Sequence, residues 1–202
     1  MHLVCLDLEG VLVPEIWIAF AEAAGIPEFR RTTRDEPDYD KLMRFRIDLL
    51  GRHNLKLPDI QRVVGTMDPL PGAAEFCAKL REETQLIILS DTFEQFAQPL
   101  MAKLGNPTLF CNSIITAEDG AVTGYALRQR NGKKHAVAAF KSLNAKTFAA
   151  GDSFNDLEMI GEADGGCLFR APEKIRRDYP QIPCIDGFDE LLSRIRAFFA
   201  QL

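Results

Sequence analysis

Apolar residues fall along this chain in two rhythms. Residues 3–6 form a short unbroken apolar run with a β-branched member, stopped by Asp7 and followed by Gly10. Such a run predicts a strand buried on both faces that delivers a polar loop. Beyond Pro14 the rhythm changes. Residues 16–24 and 39–50 place apolar side chains at helical intervals, Leu42, Phe45, Leu49 and Leu50 among them, around a polar stretch holding Pro27 and Pro37. Two helices with no strand between them predict a small cap inserted after the first strand. From Pro71 and Gly72 onward strand and helix alternate. The pattern predicts a helix over 72–83, a buried strand over 86–89, and a helix over 94–104 closed by Gly105. Further strands are expected at 108–111 and 147–150. The last helix spans 188–199, with Phe188, Leu191, Leu192, Ile195 and Phe199 along one side. Residues 114–117 and 122–127, joined through Glu118, Asp119 and Gly120, predict a β-hairpin projecting beside the sheet.

Repeated strand–helix units imply an α/β fold with a mainly parallel sheet covered on both faces. The expected organisation is a core over 1–14 and 70–202, carrying the hairpin at 114–127, and a helical cap over 15–69. In such a sheet the chemistry gathers at the carboxyl ends of the strands.

Composition narrows the function classes. A length of 202 residues, 47% of them hydrophobic, buries one substantial core. The 24 basic and 29 acidic residues give a net charge of −5 without a basic tract, which disfavours nucleic-acid and anionic-membrane partners. Cys5, Cys77, Cys111, Cys167 and Cys184 are scattered, with no CxxC pair, and read as free thiols in a reducing compartment. The start of the chain meets Asp7 before any signal-length apolar run, and no later run has the length of a spanning helix. The cytoplasm is the expected location.

Three polar clusters fall at predicted strand ends. Asp7 and Glu9 leave the first strand in one loop, two acids that repel unless a divalent cation keeps both. One can bind metal and attack phosphorus while the other moves a proton. Ser90, Asp91 and Thr92 follow the second strand, offering hydroxyl and backbone donors to phosphate oxygens, or a helix cap. Gly151, Asp152, Ser153, Phe154, Asn155 and Asp156 follow another; Asp152 suits a hard cation such as Mg2+, and Asn155 or Asp156 can orient substrate or complete the shell. Any one of these is an ordinary turn. Three at the same end of one sheet point to a phosphoryl site.

Lys133 and Lys134 precede a helical stretch over 135–143, and either ammonium can supply the positive charge a phosphate needs, or both are a solvated pair. Arg46, between Phe45 and Ile47 on the cap, has its head available for a substrate carboxylate, and Glu15 at the junction of core and cap for an ammonium. Surface snorkelling and capping produce the same pattern. His2, His53 and His135 lack metal spacing; neither GxSxG nor GxxxxGK[ST] is present, which argues against zinc, esterase and P-loop chemistry.

Taken in order, Asp7–Leu8–Glu9–Gly10, Ser90–Asp91–Thr92, Lys133 and Gly151–Asp152–Ser153–Phe154–Asn155–Asp156 resemble the haloacid dehalogenase superfamily. Within it, the stretches 7–15, 88–93 and 149–153 resemble the phosphoserine phosphatases, in particular the group that also transfers phosphate to homoserine. The resemblance implies a Rossmannoid three-layer sandwich and Mg2+-dependent chemistry through an aspartyl phosphate. It implies Asp7 and Glu9 as catalytic pair, and Asp7, Glu9 and Asp152 at the metal. It further implies that Glu15 and Arg46 grip the amino and carboxyl groups of O-phospho-L-serine, that Ser90, Asp91 and Lys133 meet its phosphate end, and that Asn155 helps close the site, with water or homoserine as acceptor. Glu9 departs from the usual aspartate of that loop, as in the homoserine-using group, and its extra methylene bears on the choice of acceptor. A general small-metabolite phosphatase and a non-catalytic phosphoamino-acid sensor are the other readings. The hairpin edge is a candidate homodimer contact or a cover for the site.

Overall fold

The computed structural model describes residues 1–33, 35, 36 and 38–201; Pro37 lies outside the described residues. A seven-stranded sheet forms the centre, ordered β4-β3-β2-β1-β5-β6-β7. Strand β1 (His2–Leu6) pairs in parallel with β2 (Gln85–Phe93) and with β5 (Lys146–Gly151). Strand β3 (Thr108–Thr116) continues the sheet beyond β2, and β4 (Val122–Ala126) closes that edge antiparallel. On the other side β6 (Gly165–Phe169) and β7 (Cys184–Ile185) follow β5 in parallel. The chain builds outward from β1 to β3, then crosses back to β5, so the strand order reverses where β1 meets β5. That reversal opens a crevice at the carboxyl ends.

Helices cover the sheet on both faces, in keeping with the two apolar clusters packed against it. Between β1 and β2 lie α1 (Ile16–Ala24), a 3-10 turn (Pro27–Arg30), α2 (Tyr39–Arg52), α3 (Leu57–Thr66) and α4 (Ala73–Glu83). The first four make a helical insertion with its own aromatic centre, where Trp17, Phe20 and Phe29 pack together and reach Phe96 of α5 (Glu94–Lys103). The remaining helices are α6 (Gly132–Ser142), α7 (Leu157–Glu162), α8 (Glu173–Asp178) and α9 (Phe188–Phe199). Among the described residues no helix is long and apolar enough to cross a membrane.

Several elements differ from the sequence expectation. The two strands expected at 108–111 and 114–117 are one, β3, because Asn112 bridges the polar interruption. It is buried, donates from Nδ2 to the Asp91 carbonyl at 3.1 Å and accepts from the Arg128 amide. The hairpin is therefore the antiparallel edge of the main sheet. Strand β2 runs on past Leu89, with a register shift between Leu89 and Phe93 that re-aims Ser90, Asp91 and Thr92. Helices α3, α7 and α8 and strands β6 and β7 were not expected: α3 buries only Ile60 and Val64, β6 begins with two glycines, and α7, α8 and β7 are short. Helix α6 starts before the lysine pair, placing both lysines in its first turn.

Candidate active site

Sheet register brings the first and third clusters together. Leu6 lies opposite Ala150, and the Asp7 amide donates to the Ala150 carbonyl at 3.0 Å. Asp7 and Asp152 thus leave adjacent strands at the same level. Two glycines make room for the carboxylates. Gly10 has a left-handed φ of 79°, and a Cβ there would stand 2.5 Å from Asp152 Oδ2. A Cβ on Gly151 would stand 2.2 Å from Asp156 Cγ.

Asp156 is fully buried and organises the loop around it. Its Oδ2 accepts from the amides of Asp152 and Ser153, each at 3.0 Å, and from Ser153 Oγ at 3.0 Å. Its Oδ1 accepts from Lys133 Nζ at 2.7 Å, and the same ammonium lies 2.9 Å from Asp7 Oδ1 and 3.9 Å from Asp91 Oδ2. Burial opposes the lysine charge, but the carboxylates of Asp156, Asp7 and Asp91 outweigh it and hold Lys133 well above its ordinary pKa. Lys134 points elsewhere, onto exposed Glu158 at 3.1 Å.

Asp7 carries the opposite stress. Burial, then the charges of Asp156 and Asp152, raise its pKa well above the usual carboxylate range, and Lys133 offsets only part of this. Asp7, Asp152 and Asp156 are all buried, with one ligand oxygen of each lying within 4.8 Å of the others. Among the described residues these three carboxylates form an oxygen-rich group of the kind that suits a hard divalent cation. Asp156 already accepts bonds on both oxygens and so braces the loop that carries Asp152.

The Glu9 carboxylate is tied to the start of the insertion. Its Oε2 accepts from the Ile16 amide at 2.8 Å. Burial and the Glu15 charge push its pKa up to about 7, against the pull of the Ile16 amide, Arg46 and the Thr92 side chain. A carboxyl poised there can give and take a proton near neutrality. Arg46 of α2 is 6% exposed, with its guanidinium 4.6 Å from the Trp17 ring centroid. Its Nη2 donates to the Arg31 carbonyl at 2.9 Å, while Nε is buried with no hydrogen-bond partner among the described residues. Burial pulls its pKa down to about 10. A buried orphan N–H is costly and asks for an acceptor.

A solvent-open cleft of ≈ 680 Å³ joins the two ends. Asp7, Lys133, Asp152 and Ser90 line one end, and Glu9, Glu15 and Arg46 the other. Asp91 and Asn155 stand on its wall, with Asn155 Nδ2 donating to Asp91 Oδ2 at 2.7 Å. Asp7, Glu9, Glu15, Arg46, Ser90, Asp91, Lys133, Asp152 and Asn155, all singled out from the sequence, thus lie on this one cleft, whereas Asp156 is buried behind it and Lys134 points away onto Glu158. Trp17, Tyr39, Thr32 and Thr33 also line it and were not singled out. Their sole sequence signal is membership of the inserted segment, which does not say which side faces the core.

The comparisons with known proteins agree with this geometry. The family model of haloacid dehalogenase-like hydrolases matches residues 1–164. A phosphoserine phosphatase from Pseudomonas syringae pv. tomato is 57% identical over 191 residues, covering 95% of this chain and 81% of that protein. Phosphoserine phosphatase ThrH from Pseudomonas aeruginosa is 54% identical over 191 residues, covering 95% and 93%. A substrate-bound phosphoserine phosphatase structure superposes with a TM-score of 0.78 at 22% identity, over 96% of this chain and 97% of that one, and shares its fold. Matched over most of its length in sequence and in fold, this chain belongs to the haloacid dehalogenase-like hydrolases and, among them, to the phosphoserine phosphatase family.

Proposed function

We propose that this protein is a Mg2+-dependent phosphoserine phosphatase that works through an aspartyl phosphate on Asp7, and that the same intermediate can pass its phosphoryl group to homoserine. One observation carries the substrate assignment: a buried arginine whose Nε has no partner among the described residues lines the same cleft as the Asp7–Lys133 pair. A small molecule with a phosphate at one end and a carboxylate at the other satisfies both.

Arg46 takes the carboxylate and Glu15 the ammonium, which aims the phosphate at the strand ends. Ser90 and Lys133 hold the phosphate oxygens, with Asp91 and Asn155 flanking them. An Asp7 oxygen attacks phosphorus in line, the bond from phosphorus to the serine oxygen breaks, and Glu9 gives that oxygen its proton. Serine leaves. Glu9, now ionised, takes a proton from water or from the homoserine hydroxyl as either attacks phosphorus, and Asp7 is released as carboxylate. Asp7, Asp152 and the Glu9 backbone carbonyl are the groups we assign to Mg2+, which when bound supplies positive charge to the transferring phosphoryl group.

The test is a competition assay with Mg2+ and O-phospho-L-serine, following inorganic phosphate and phosphohomoserine with and without homoserine. Phosphohomoserine formed at the expense of phosphate is the expected result. Phosphate alone removes the transfer reaction and leaves the phosphatase. Equal rates on sugar phosphates and phosphoserine would overturn the substrate assignment in favour of a general small-metabolite phosphatase.

A further inference from the structure

Beyond the chain junctions, several ties hold the inserted helices against the core. The Leu57 amide donates to the Gly120 carbonyl in the β3–β4 turn at 3.0 Å, with Lys56 Nζ 2.8 Å from Asp119 beside it. From β4, the Tyr125 hydroxyl donates to Asp40 Oδ1 at 2.7 Å. Next to it, the Tyr39 hydroxyl donates to the Asp91 backbone carbonyl at 2.9 Å, and the Tyr39 and Tyr125 rings meet edge to face at 5.7 Å. The Lys56–Asp119 pair is a surface ion pair of small worth. The Tyr39 bond differs in two respects. Tyr39 lines the cleft itself, and its acceptor residue also holds Asn155 through its carboxylate and lies near Lys133. The bond therefore joins α2, which carries Arg46, to the strand bulge that carries Ser90. Burial and the nearby Asp91 charge hold the phenol above its ordinary pKa, so it stays a donor at working pH.

We propose that Tyr39 is a positioning residue: its hydroxyl latches α2 to the Asp91 carbonyl, keeping Arg46 in register with the phosphate end and the insertion seated over phosphorylated Asp7. A latch that opens more often admits bulk water to the intermediate and loosens the grip on an amino-acid ligand, while a donor with no carboxylate for Arg46 gains little from it. The choice of substrate in the test rests on the phosphoserine reading above; the latch itself does not.

Tyr39→Phe removes one oxygen and keeps the ring contact with Tyr125. Two quantities are compared with the parent protein: acrylamide quenching of Trp17, the chain's sole tryptophan, 6% exposed beneath Arg46, and kcat/KM for O-phosphoserine relative to acetyl phosphate. Loss of one hydrogen bond predicts a several-fold rise in quenching and a roughly five- to tenfold larger fall in kcat/KM for phosphoserine than for acetyl phosphate. Unchanged quenching would overturn the latch. Raised quenching with both substrates affected equally would overturn its positioning role. Tyr125→Phe, which cuts the neighbouring tie at Asp40, is expected to move both readouts the same way by less; no movement in either counts against the latch as well. If the parent hydrolyses acetyl phosphate but not O-phosphoserine, the substrate reading fails, and the quenching comparison still decides the latch.

Discussion

Lys133 Nζ lies 2.9 Å from Asp7 Oδ1, so the assigned nucleophile is in contact with a buried ammonium before any phosphate arrives. The pair is built from the end of β1 and the first turn of α6, and Asp156 holds the ammonium in place from behind at 2.7 Å. Removing the ammonium in Lys133→Met leaves buried carboxylates facing one another. The variant is expected to lose about 3–5 kcal/mol of stability in EDTA, with part regained on adding Mg2+. Turnover should fall about a hundredfold or more. Denaturant unfolding with and without Mg2+, beside a phosphate-release assay, measures both.

Asp7→Asn separates chemistry from stability. The folded-state pKa of Asp7 is raised by burial and by Asp156 and Asp152. Its ionisation therefore costs nothing at low pH, where folded and unfolded chains are both protonated. The cost sets in as pH rises past the unfolded carboxyl value of about 3.9 and is complete above the raised folded value. In EDTA at pH 8, Asp7→Asn should withstand more denaturant than the parent, with the gap closing toward pH 4, while turnover drops about a thousandfold or more. Unfolding curves that stay parallel across this range would contradict the raised pKa.

Gly151→Ala places a methyl group where Asp156 stands, at 2.2 Å from Cγ. Asp156 must shift, and with it the bonds to Lys133 and to the amides of Asp152 and Ser153. Weakening the support of Asp152, the aspartate we assign to Mg2+, is expected to raise the Mg2+ concentration for half-maximal activity by about 10- to 100-fold. An unchanged Mg2+ titration would show that the loop absorbs the methyl group elsewhere.

In the mechanism we propose, Glu9, whose pKa is pushed up to about 7, acts protonated in serine departure and ionised in attack by the acceptor. Single-turnover phosphorylation of Asp7 should fall above about pH 7, and dephosphorylation should fall below it, each approaching tenfold per pH unit. Glu9→Gln should flatten both limbs at a lower rate. In Glu9→Asp the shorter side chain is expected to raise the ratio of phosphate released to phosphate transferred, measured in the presence of homoserine.

Arg46→Ala should cut kcat/KM for O-phosphoserine about tenfold to a hundredfold, as expected for loss of a charged hydrogen bond. The loss should be much smaller for O-phosphoethanolamine, which lacks the carboxylate. An equal loss on both would assign Arg46 to holding the insertion together, through Trp17 and the Arg31 carbonyl, rather than to recognising substrate.

Much of this molecule was legible in the linear chain because its strands are short apolar runs that stop at chemistry-bearing residues. Leu6 is followed by Asp7, Leu89 by Ser90 and Gly151 by Asp152, and a parallel sheet carries such ends to one side. What stayed hidden depended on contacts distant in sequence. Asn112 looks like a strand break until the Asp91 carbonyl is placed beside it. Tyr39 looks like an ordinary first-turn residue of a helix until its hydroxyl meets that same carbonyl. Lys133 and Lys134 are chemically identical neighbours; only the rotation of α6 buries one against Asp7 and leaves the other on Glu158.

The sequence by itself thus determined the α/β class, the order of the clusters and the kind of chemistry they serve, since these follow from periodicity and from residue type at strand ends. Tertiary structure decided the division of labour. It tied the Glu9 carboxylate to the start of the insertion, made Asp156 the anchor of Lys133, and left Arg46 Nε buried with no partner among the described residues. Such roles depend on burial and on which charges come within a few ångströms, quantities that exist only once the chain has closed on itself.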